Sequence, residues 1–377
     1  MNRLLELQKL GQSIWYDNIH RHLLHSGELE RMIKDDGLGG VTTNPTIFEK
    51  AIGGGDAYDK PIKALLNAHP GLSDQSLFDA LAVDDVQHAA DLFKEAYEHS
   101  RHVDGMVSIE VSPELAYDTD ATVSEARRLF QAVKRPNCMI KVPATREGLT
   151  AIETLTSEGI NVNATLLFSV KRYRDVAESY ILGLEKRLRR GQPLEGITSV
   201  ASFFVSRVDT KIDSLLQARL EQASEGQQAE IRMLLGRIAI ANAKMAYQAY
   251  LEIFASERFA HLQSAGARPQ RLLWGSTGTK NPAYSDTLYI DELIGPHTVN
   301  TIPPATYQAF KDHGHPRRTL DTAVDEARRQ LAALAALNVD LDAVTGALEE
   351  EGVRQFADSY RQVIGVIGEK RRRLGLS

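Results

Sequence analysis

Cysteine is nearly absent from this sequence of 377 residues, which contains a single one, Cys138. One thiol can form neither a disulfide within the chain nor a metal site built from several thiolates. A chain of this length buries enough apolar surface to fold without such cross-links. We therefore expect a protein of a reducing compartment, and we predict a cytoplasmic location.

Long apolar runs and an excess of positive charge are also missing. No stretch approaches the roughly 18 consecutive apolar residues that a membrane-spanning helix needs. The first residues, MNRLLELQKLGQS, have the pattern of a short amphipathic helix and lack the apolar run of a signal peptide. The net charge is −6, so no global basic field attracts nucleic acid. We predict neither membrane nor nucleic-acid binding, and any anion must be bound by a few placed basic residues.

Motifs for metals and for nucleotide cofactors are missing too. The histidines of the HRHLLH segment, and His313 with His315, lack a metal-ligand spacing with a supporting acid, so we expect both groups at the surface. The glycine run Gly53–Gly55 has no lysine followed by Ser or Thr, as a P-loop requires. No GxGxxG follows a predicted strand. We therefore expect neither a metal nor a cofactor.

What the sequence does contain is an alternation of short apolar runs and helical segments. Near-continuous apolar runs are typical of buried parallel strands. The predicted strands are Ser13–Asp17, Leu38–Thr43, Gly105–Val111, Cys138–Pro143, Asn161–Phe168, Thr198–Val205, Arg271–Ser276 and Thr298–Ile302. Strands alternating with helices indicate βαβ units and a parallel sheet. The number of strands favours a single (β/α)8 TIM barrel over an open doubly-wound sheet.

The apolar spacing also predicts helices, including several after the last strand. Within the barrel they are Glu147–Glu158, Lys171–Arg190 and Glu230–Phe254. After the last strand they are Leu320–Leu337, Leu341–Leu348 and Val353–Leu374. No linker marks a boundary, so we predict one domain over residues 1–377, in which about 316–377 form a helical extension packed across the barrel. We interpret the basic run Lys370–Arg373 as a solvated helix end.

Polar and ionisable residues cluster at the carboxyl ends of the predicted strands, where a parallel barrel carries its active site. The most informative of them is Lys141, which lies inside the apolar run Met139–Pro143. A buried ammonium group is costly, so we expect the neutral amine. The neutral amine attacks a ketone to give a carbinolamine and then an iminium. The alternative is a structural ion pair of Lys141 with Glu110 or Asp17.

Two carboxylates and two cations complete this pattern. Asp17 and Glu110 end the first and third predicted strands. They either divide acid and base roles, if their environments separate their pKa values, or merely neutralise Lys141. Arg207, which we place at the end of the sixth strand, and Lys280 are candidates for phosphate binding, because small residues and a cation form a phosphate cradle. The loop around Lys280 is also compatible with an ordinary turn.

Several segments resemble the signatures of the transaldolase family. Gly40–Ile47 (GVTTNPTI) and Gly159–Phe168 (GINVNATLLF) resemble its two signatures, and Ile140–Thr145 (IKVPAT) is similar to the strand that carries the Schiff-base lysine. These motifs follow one another in family order within Gly11–Pro304. The chain length and the segment Leu273–Pro282 (LWGSTGTKNP) resemble the longer transaldolase subfamily.

The resemblance implies a role for each matching residue. Lys141 would form the Schiff base, Asp17 would act as acid and base on the C4 hydroxyl, and Glu110 would work through a water also held by Thr165. The implied substrate-binding residues are Thr42, Asn44, Asn163, Ser202, Arg207, Ser276 and Lys280. Arg207 matches the main phosphate ligand. Lys280 departs from the shorter transaldolases, which have an arginine near this place in a slightly shorter loop.

The implied reaction moves a dihydroxyacetone unit from sedoheptulose 7-phosphate to glyceraldehyde 3-phosphate, in the non-oxidative pentose phosphate pathway. Its products are erythrose 4-phosphate and fructose 6-phosphate. One alternative is an aldolase of the same superfamily, although those chains are short and several have a tyrosine where Glu110 stands. The other is a barrel that binds sugar phosphates without catalysis. The sequence leaves the choice between monomer and homodimer open.

Overall fold

The structure, a computed structural model, describes residues 2–375. Within them, parallel strands pair in chain order and close into a barrel through the pairing of the first strand with the last. The strands are β1 (Gln12–Tyr16), β2 (Gly40–Val41), β3 (Met106–Glu110), β4 (Cys138–Pro143), β5 (Val162–Leu167), β6 (Ser199–Phe204), β7 (Arg271–Gly275) and β8 (Thr298–Ile302). The predicted (β/α)8 barrel is therefore confirmed, and the open-sheet alternative is wrong.

Helices surround the barrel. They are α1 (Arg3–Lys9), α2 (Arg21–His25), α3 (Glu28–Asp36), α4 (Pro45–Gly53), α5 (Asp59–Ala68), α6 (Asp74–Leu92), α7 (Lys94–His99), α8 (Thr119–Val133), α9 (Arg146–Glu158), α10 (Val170–Arg189), α11 (Ser206–Leu220), α12 (Glu225–Leu234), α13 (Ile238–Phe254), α14 (Glu257–Ser264), α15 (Leu288–Asp291), α16 (Pro304–His313), α17 (Val324–Ala336) and α18 (Leu341–Arg373). A 3₁₀ turn, Pro113–Leu115, follows β3.

Side-chain caps fix where the helices after β2, β4 and β5 begin. Asn44, Thr145 and Ser169 each accept a hydrogen bond from a backbone N–H of the first helical turn. Such caps satisfy donors that a helix leaves unpaired at its start. Because each cap follows a strand within a few residues, it sets the position at which the chain turns away from the mouth of the barrel.

The barrel interior is closed at its amino-terminal end by apolar side chains. They are Trp15, Tyr97, Met106, Met139, Val200, Leu273 and Val299, all buried. A barrel of eight strands is filled by its own side chains and does not form a pore. Any ligand must therefore enter from the opposite end, where the strands finish.

Two predicted barrel segments have limits different from those expected. The predicted helix Glu230–Phe254 is broken between α12 and α13, because Gly236 adopts a left-handed φ of +68°. The N–H of Gly236 donates instead to Asp213 Oδ1 at 3.0 Å. The predicted strand Leu38–Thr43 is reduced to the two residues of β2.

The C-terminal helices also differ from the prediction. The predicted helices Leu341–Leu348 and Val353–Leu374 form one helix, α18, which continues through Gly352. The predicted helix Leu320–Leu337 begins later, at Val324, because the carbonyls of Thr319 and Thr322 accept hydrogen bonds from Lys244 Nζ.

The long helix α18 runs across the mouth of the barrel, as expected for the C-terminal extension. It packs against α4, α6 and α11 and against the end of β5. The prediction that Lys370–Arg373 is a solvated helix end is wrong for Lys370, which is 5% exposed. Its Nζ lies 2.8 Å from Asp59 Oδ1, at the start of α5, and also donates to the Gly55 carbonyl in the preceding loop. These two contacts hold the end of α18 against that segment.

Across the part of the chain that the structure describes, no single helix has the length and apolar composition needed to cross a membrane. Helices α17 and α18 pass that test only as a pair, which is bent by 91°.

Candidate active site

Strand periodicity explains why the polar residues meet inside the mouth. Side chains two apart on a strand point to the same face. Met139 belongs to the apolar floor, so Lys141 lies above it on the same inward face. In the same way, Asp17 follows Trp15 by two positions, and Ser202 follows Val200. The interior therefore changes from apolar to polar toward the carboxyl ends.

Lys141 is held in the wall of the mouth and is nearly inaccessible to solvent. Its side chain is 5% exposed, and its Nζ donates to the Thr43 carbonyl at 3.1 Å. In the barrel register, Lys141 pairs with Glu110 on one side and with Asn163 on the other. The amine thus stands between two polar side chains on neighbouring strands.

Glu110 is the carboxylate that approaches Lys141 within ion-pair distance. Its Oε2 lies 3.5 Å from Lys141 Nζ, and its side chain is 4% exposed. Neither of its oxygens makes a hydrogen bond within residues 2–375, and the buried hydroxyl of Thr165 has no partner there either. Burial raises the pKa of Glu110 to about 7, although the charge of Lys141 opposes the shift. A carboxyl group whose pKa lies near 7 can both donate and accept a proton at physiological pH.

Asp17 lies directly after β1 and is oriented by Thr42, which directly follows β2. Thr42 Oγ1 donates to Asp17 Oδ1 at 2.7 Å and lies 2.6 Å from Thr301 Oγ1. Burial raises the pKa of Asp17, while the charge of Lys141 and the hydrogen bond from Thr42 act in the opposite direction. Both carboxyl groups beside the amine therefore hold a proton more readily than they would in water.

Asn163 and Ser202 form a hydrogen-bonded chain beneath the amine. Ser202 Oγ donates to Asn163 Oδ1 at 2.6 Å, and Asn163 Nδ2 donates to Ser108 Oγ at 3.1 Å. All three side chains are buried. Their polar groups satisfy one another, so each is held in one orientation.

A cavity of about 670 Å³ opens above Lys141. The predicted site residues that line it are Asp17, Thr42, Asn44, Lys141, Thr165, Ser202, Arg207, Ser276 and Lys280. Two predicted residues lie outside this lining. Asn163 is below it, in contact with Ser202, and Glu110 borders a separate small void shared with Asn44 and Tyr360.

Two cations stand on one side of the cavity. Arg207 lies in the first turn of α11 rather than at the end of β6, because the strand finishes at Phe204. Lys280 lies in the exposed loop after β7. At the base of that loop, Ser276 has a left-handed φ of +54°, and its Oγ lies 2.9 Å from Ser206 Oγ. This wall combines two positive charges with small hydroxyl side chains.

Several cavity residues were not predicted from the sequence. His20 and His22 line the cavity; the sequence placed this histidine group only at the surface, and in the structure His22 is exposed and His20 is half-buried. Their positions follow from α2, which starts beside the mouth with His20 as its cap. Phe356 of α18 also lines the cavity. Its helical spacing indicates burial, but no sequence signal shows what it covers.

Within residues 2–375, no group of three or more His, Cys, Asp or Glu side chains is arranged to hold a metal ion. The expectation that the protein works without a metal stays a prediction.

Fold and site together define a TIM barrel that carries a polar cavity with a buried lysine at the carboxyl ends of its strands. Residues 14–367 match the family described as Transaldolase/Fructose-6-phosphate aldolase. The chain belongs to this family.

Curated relatives support the assignment over the whole length of the chain. A protein named Transaldolase from Thiobacillus denitrificans is 48% identical over 98% of this chain and 100% of its own. One of the same name from Trichodesmium erythraeum is 45% identical over 99% of this chain and 98% of its own. Another from Neisseria gonorrhoeae is 46% identical over 97% and 99%.

Proposed function

We propose that this protein is a transaldolase that moves a dihydroxyacetone unit between sugar phosphates through a Schiff base on Lys141. The donor and acceptor are those of the non-oxidative pentose phosphate pathway, sedoheptulose 7-phosphate and glyceraldehyde 3-phosphate. The shared name of relatives that align over nearly the whole chain supports the activity.

The observation that carries the mechanism is the buried amine of Lys141, which lies 3.5 Å from the carboxyl group of Glu110 and near enough to Asp17 for its charge to lower the pKa of that carboxyl group. A purely structural ion pair would be expected to form hydrogen bonds, because unpaired buried oxygens are costly. Glu110 instead leaves both oxygens without a hydrogen bond, 3.5 Å from the amine at the nearest point. A water bound to Glu110 and Thr165 would satisfy these groups. Such a water would take part in the formation and breakdown of the carbinolamine.

Lys141, Glu110 and Asp17 each carry out a different step of the reaction. The neutral amine of Lys141 adds to the C2 ketone, and loss of water through Glu110 gives the iminium. Asp17 takes the proton of the C4 hydroxyl, so that the C3–C4 bond breaks and its electron pair enters the iminium to form an enamine. The acceptor aldehyde is attacked by the enamine, and Asp17 returns the proton.

The remaining polar residues bind the two ends of the substrate. Asn44, Asn163 and Ser202 bind hydroxyl groups of the dihydroxyacetone portion, with Thr42 beside them. Arg207 binds the phosphate, with Ser276 and Lys280 on the same wall of the cavity.

Reductive trapping tests this proposal. Full-length protein is treated with borohydride in the presence of fructose 6-phosphate, and the adduct is located by peptide mass analysis. We expect reduced dihydroxyacetone on Lys141 and no adduct in Lys141→Met. A wild-type protein that binds the sugar but gives no adduct would identify a barrel that binds sugar phosphates without catalysis.

A coupled assay separates transfer from aldol cleavage. Fructose 6-phosphate is supplied with and without erythrose 4-phosphate, and glyceraldehyde 3-phosphate is measured. We expect sustained product only when the acceptor is present. Comparable product without the acceptor would instead indicate a fructose 6-phosphate aldolase.

A further inference from the structure

Helix α18 brings two adjacent side chains to the active site. The buried Phe356 ring has its centroid 5.5 Å from Lys141 Nζ and 5.8 Å from the guanidinium carbon of Arg207. The next residue toward the N-terminus, Gln355, accepts a hydrogen bond from Arg207 Nη1 at 3.0 Å. One segment of α18 therefore contacts both the amine and the phosphate-binding cation.

Ion pairs along α18 hold this segment in place. Toward its start, Glu349 pairs with Arg172 of α10 at 3.0 Å. Two residues further, Glu351 pairs with Lys211 of α11 at 2.7 Å. At its far end, Lys370 pairs with Asp59 at the start of α5. Because these partners lie on different sides of the barrel, the helix is fixed across the mouth near both of its ends.

We propose that α18 forms the roof of the active site, in which Phe356 limits the access of bulk water to the nitrogen of Lys141 and Gln355 orients Arg207 toward the phosphate. This inference rests on the proposed transaldolase function and adds the feature that favours transfer over hydrolysis. Phe356 and Gln355 act as positioning residues, since neither supplies a reacting group.

The roof is needed because the enamine has a competing fate. If a proton reaches C3 of the enamine, the iminium of dihydroxyacetone forms. Water then adds to C2 and releases a proton, and the carbinolamine collapses with cleavage of the C–N bond. The products are free dihydroxyacetone and the free amine of Lys141, and no acceptor has been used. An apolar ring above the nitrogen limits the access of bulk water to this route.

Aromatic rings near Arg207 also restrict the orientation of its guanidinium group. The Phe356 ring lies within about 6 Å of this guanidinium, the range in which an aromatic face attracts positive charge. The guanidinium carbon of Arg207 also lies 5.4 Å from the centroid of the Phe204 ring. With Gln355 accepting from one nitrogen, the guanidinium has a restricted orientation, and its other N–H groups remain for a phosphate.

The test for Phe356 is the ratio of dihydroxyacetone release to transfer in full-length Phe356→Ala. Free dihydroxyacetone is measured with fructose 6-phosphate alone, and transfer is measured with erythrose 4-phosphate added. We expect the ratio to rise about tenfold over wild type. Phe356→Leu, which keeps an apolar side chain of similar volume, should stay close to the wild-type ratio.

Val363→Ala is the matched control, because Val363 is fully buried in the same helix and does not line the cavity. It should lower the melting temperature and leave the ratio unchanged. An equal ratio of dihydroxyacetone release to transfer in Phe356→Ala and Val363→Ala would contradict the proposed role of Phe356. If Phe356→Ala does not fold, Phe356→Val replaces it, with a smaller rise expected in the same direction.

The test for Gln355 uses acceptors with and without phosphate. In Gln355→Leu we expect KM for glyceraldehyde 3-phosphate to rise roughly fivefold, the effect of one lost hydrogen bond, with kcat little changed. KM for unphosphorylated glyceraldehyde should not change. Asp358→Ala, at an exposed position of the same helix, is the control. Equal effects on both acceptors, or none on either, would overturn the role of Gln355.

The experiments distinguish a failure of the proposed roof from a failure of the proposed transaldolase function. A wild-type protein without a borohydride adduct contradicts the Schiff base itself. A wild-type adduct together with an unchanged ratio in Phe356→Ala contradicts only the roof.

Discussion

At the scale of single residues, burial changes the chemistry of the two carboxyl groups beside Lys141. Asp17 and Glu110 both have raised pKa values, and in each case burial is the largest cause. The neighbouring amine opposes the shift without cancelling it. A protonated carboxyl group next to a lysine makes proton transfer to and from substrate oxygens accessible near neutral pH.

Replacing Glu110 by Gln should remove a pH dependence of stability. The folded protein binds the Glu110 proton more tightly than the unfolded chain does, because its pKa rises from 4.5 to about 7. The resulting stabilisation is fully present below about pH 4.5 and is lost as pH rises through 7. Relative to Glu110→Gln, the wild type should lose up to about 3 kcal/mol of unfolding free energy across this window.

Urea unfolding of both proteins between pH 4.5 and pH 8 measures this difference. Glu114→Gln, at an exposed glutamate, is the control and should follow the wild type. Parallel pH curves for wild type and Glu110→Gln would contradict a proton held by the folded state.

Replacing Thr42 by Val should raise the pKa of Asp17, so that a smaller fraction of it is ionised and able to accept a proton at a given pH, while preserving the shape of the threonine side chain. The hydrogen bond from Thr42 lowers the pKa of Asp17, so its loss should move the acid limb of the transfer rate to higher pH. Losing a hydrogen bond to a charged group should also reduce the maximal rate by about tenfold. The pH–rate profile of the purified variant measures both effects.

Thr43→Val is the matched control for this experiment. Thr43 donates to the Ser108 carbonyl at 2.8 Å and not to Asp17. Its replacement should cost stability and leave the position of the acid limb unchanged. If both variants shift the limb equally, the hydrogen bond to Asp17 is not its cause.

At the scale of secondary-structure elements, the glycines of α18 mark where the helix touches the barrel. A Cβ at Gly346 or Gly365 would meet no atom within 4 Å. A Cβ at Gly352 would lie 3.0 Å from Leu166 Cδ2. Leu166 has a left-handed φ of +62° at an irregularity of β5, where the register with β6 shifts. The helix therefore crosses β5 at its closest point at Gly352.

These contacts predict opposite effects for substitutions in one helix. Gly346→Ala and Gly365→Ala should each stabilise the protein by roughly 0.5–1 kcal/mol, since alanine restricts the unfolded chain and favours the helix. Gly352→Val should destabilise it by about 1–3 kcal/mol through overpacking against Leu166. Thermal unfolding and denaturant titration measure the three variants.

Activity distinguishes a local clash from displacement of the helix. Gly352→Val should also raise the KM for phosphorylated acceptors, because its Cβ would already be in van der Waals contact with Arg207 Nη1, at 3.7 Å, and the methyl groups beyond it would crowd the guanidinium. A stabilised Gly352→Val with unchanged KM would show that α18 does not pack closely on β5.

At the scale of the whole molecule, we propose that barrel and C-terminal helices form one cooperative domain. Ion pairs and buried apolar residues of α18 join it to several barrel helices. Calorimetry should therefore give one unfolding transition, with a calorimetric enthalpy close to the van't Hoff enthalpy. Lys370→Met should lower the melting temperature within a single transition. Two resolved transitions, with helices melting first, would contradict the single domain.

The strand pattern of the sequence by itself determined the barrel and the position of its lysine. Buried parallel strands are apolar without interruption, so Lys141 inside such a run was conspicuous. The sequence also placed Lys141 and Asp17 at the carboxyl ends of strands, and the structure shows both on the inward face. Both signals are local, because a strand's neighbours along the chain determine which face each residue occupies.

Only the tertiary structure decided what covers the mouth and which polar groups find partners. Helical spacing shows that Phe356 is buried, but the surface against which α18 packs depends on contacts between residues far apart in the chain. The sequence pattern around Lys370 predicted a solvated helix end, but its partner, Asp59 at the start of α5, lies far away in the chain. The break at Gly236 likewise depends on Asp213 of another helix. Such long-range pairings follow from packing and charge between distant elements, which local pattern does not encode.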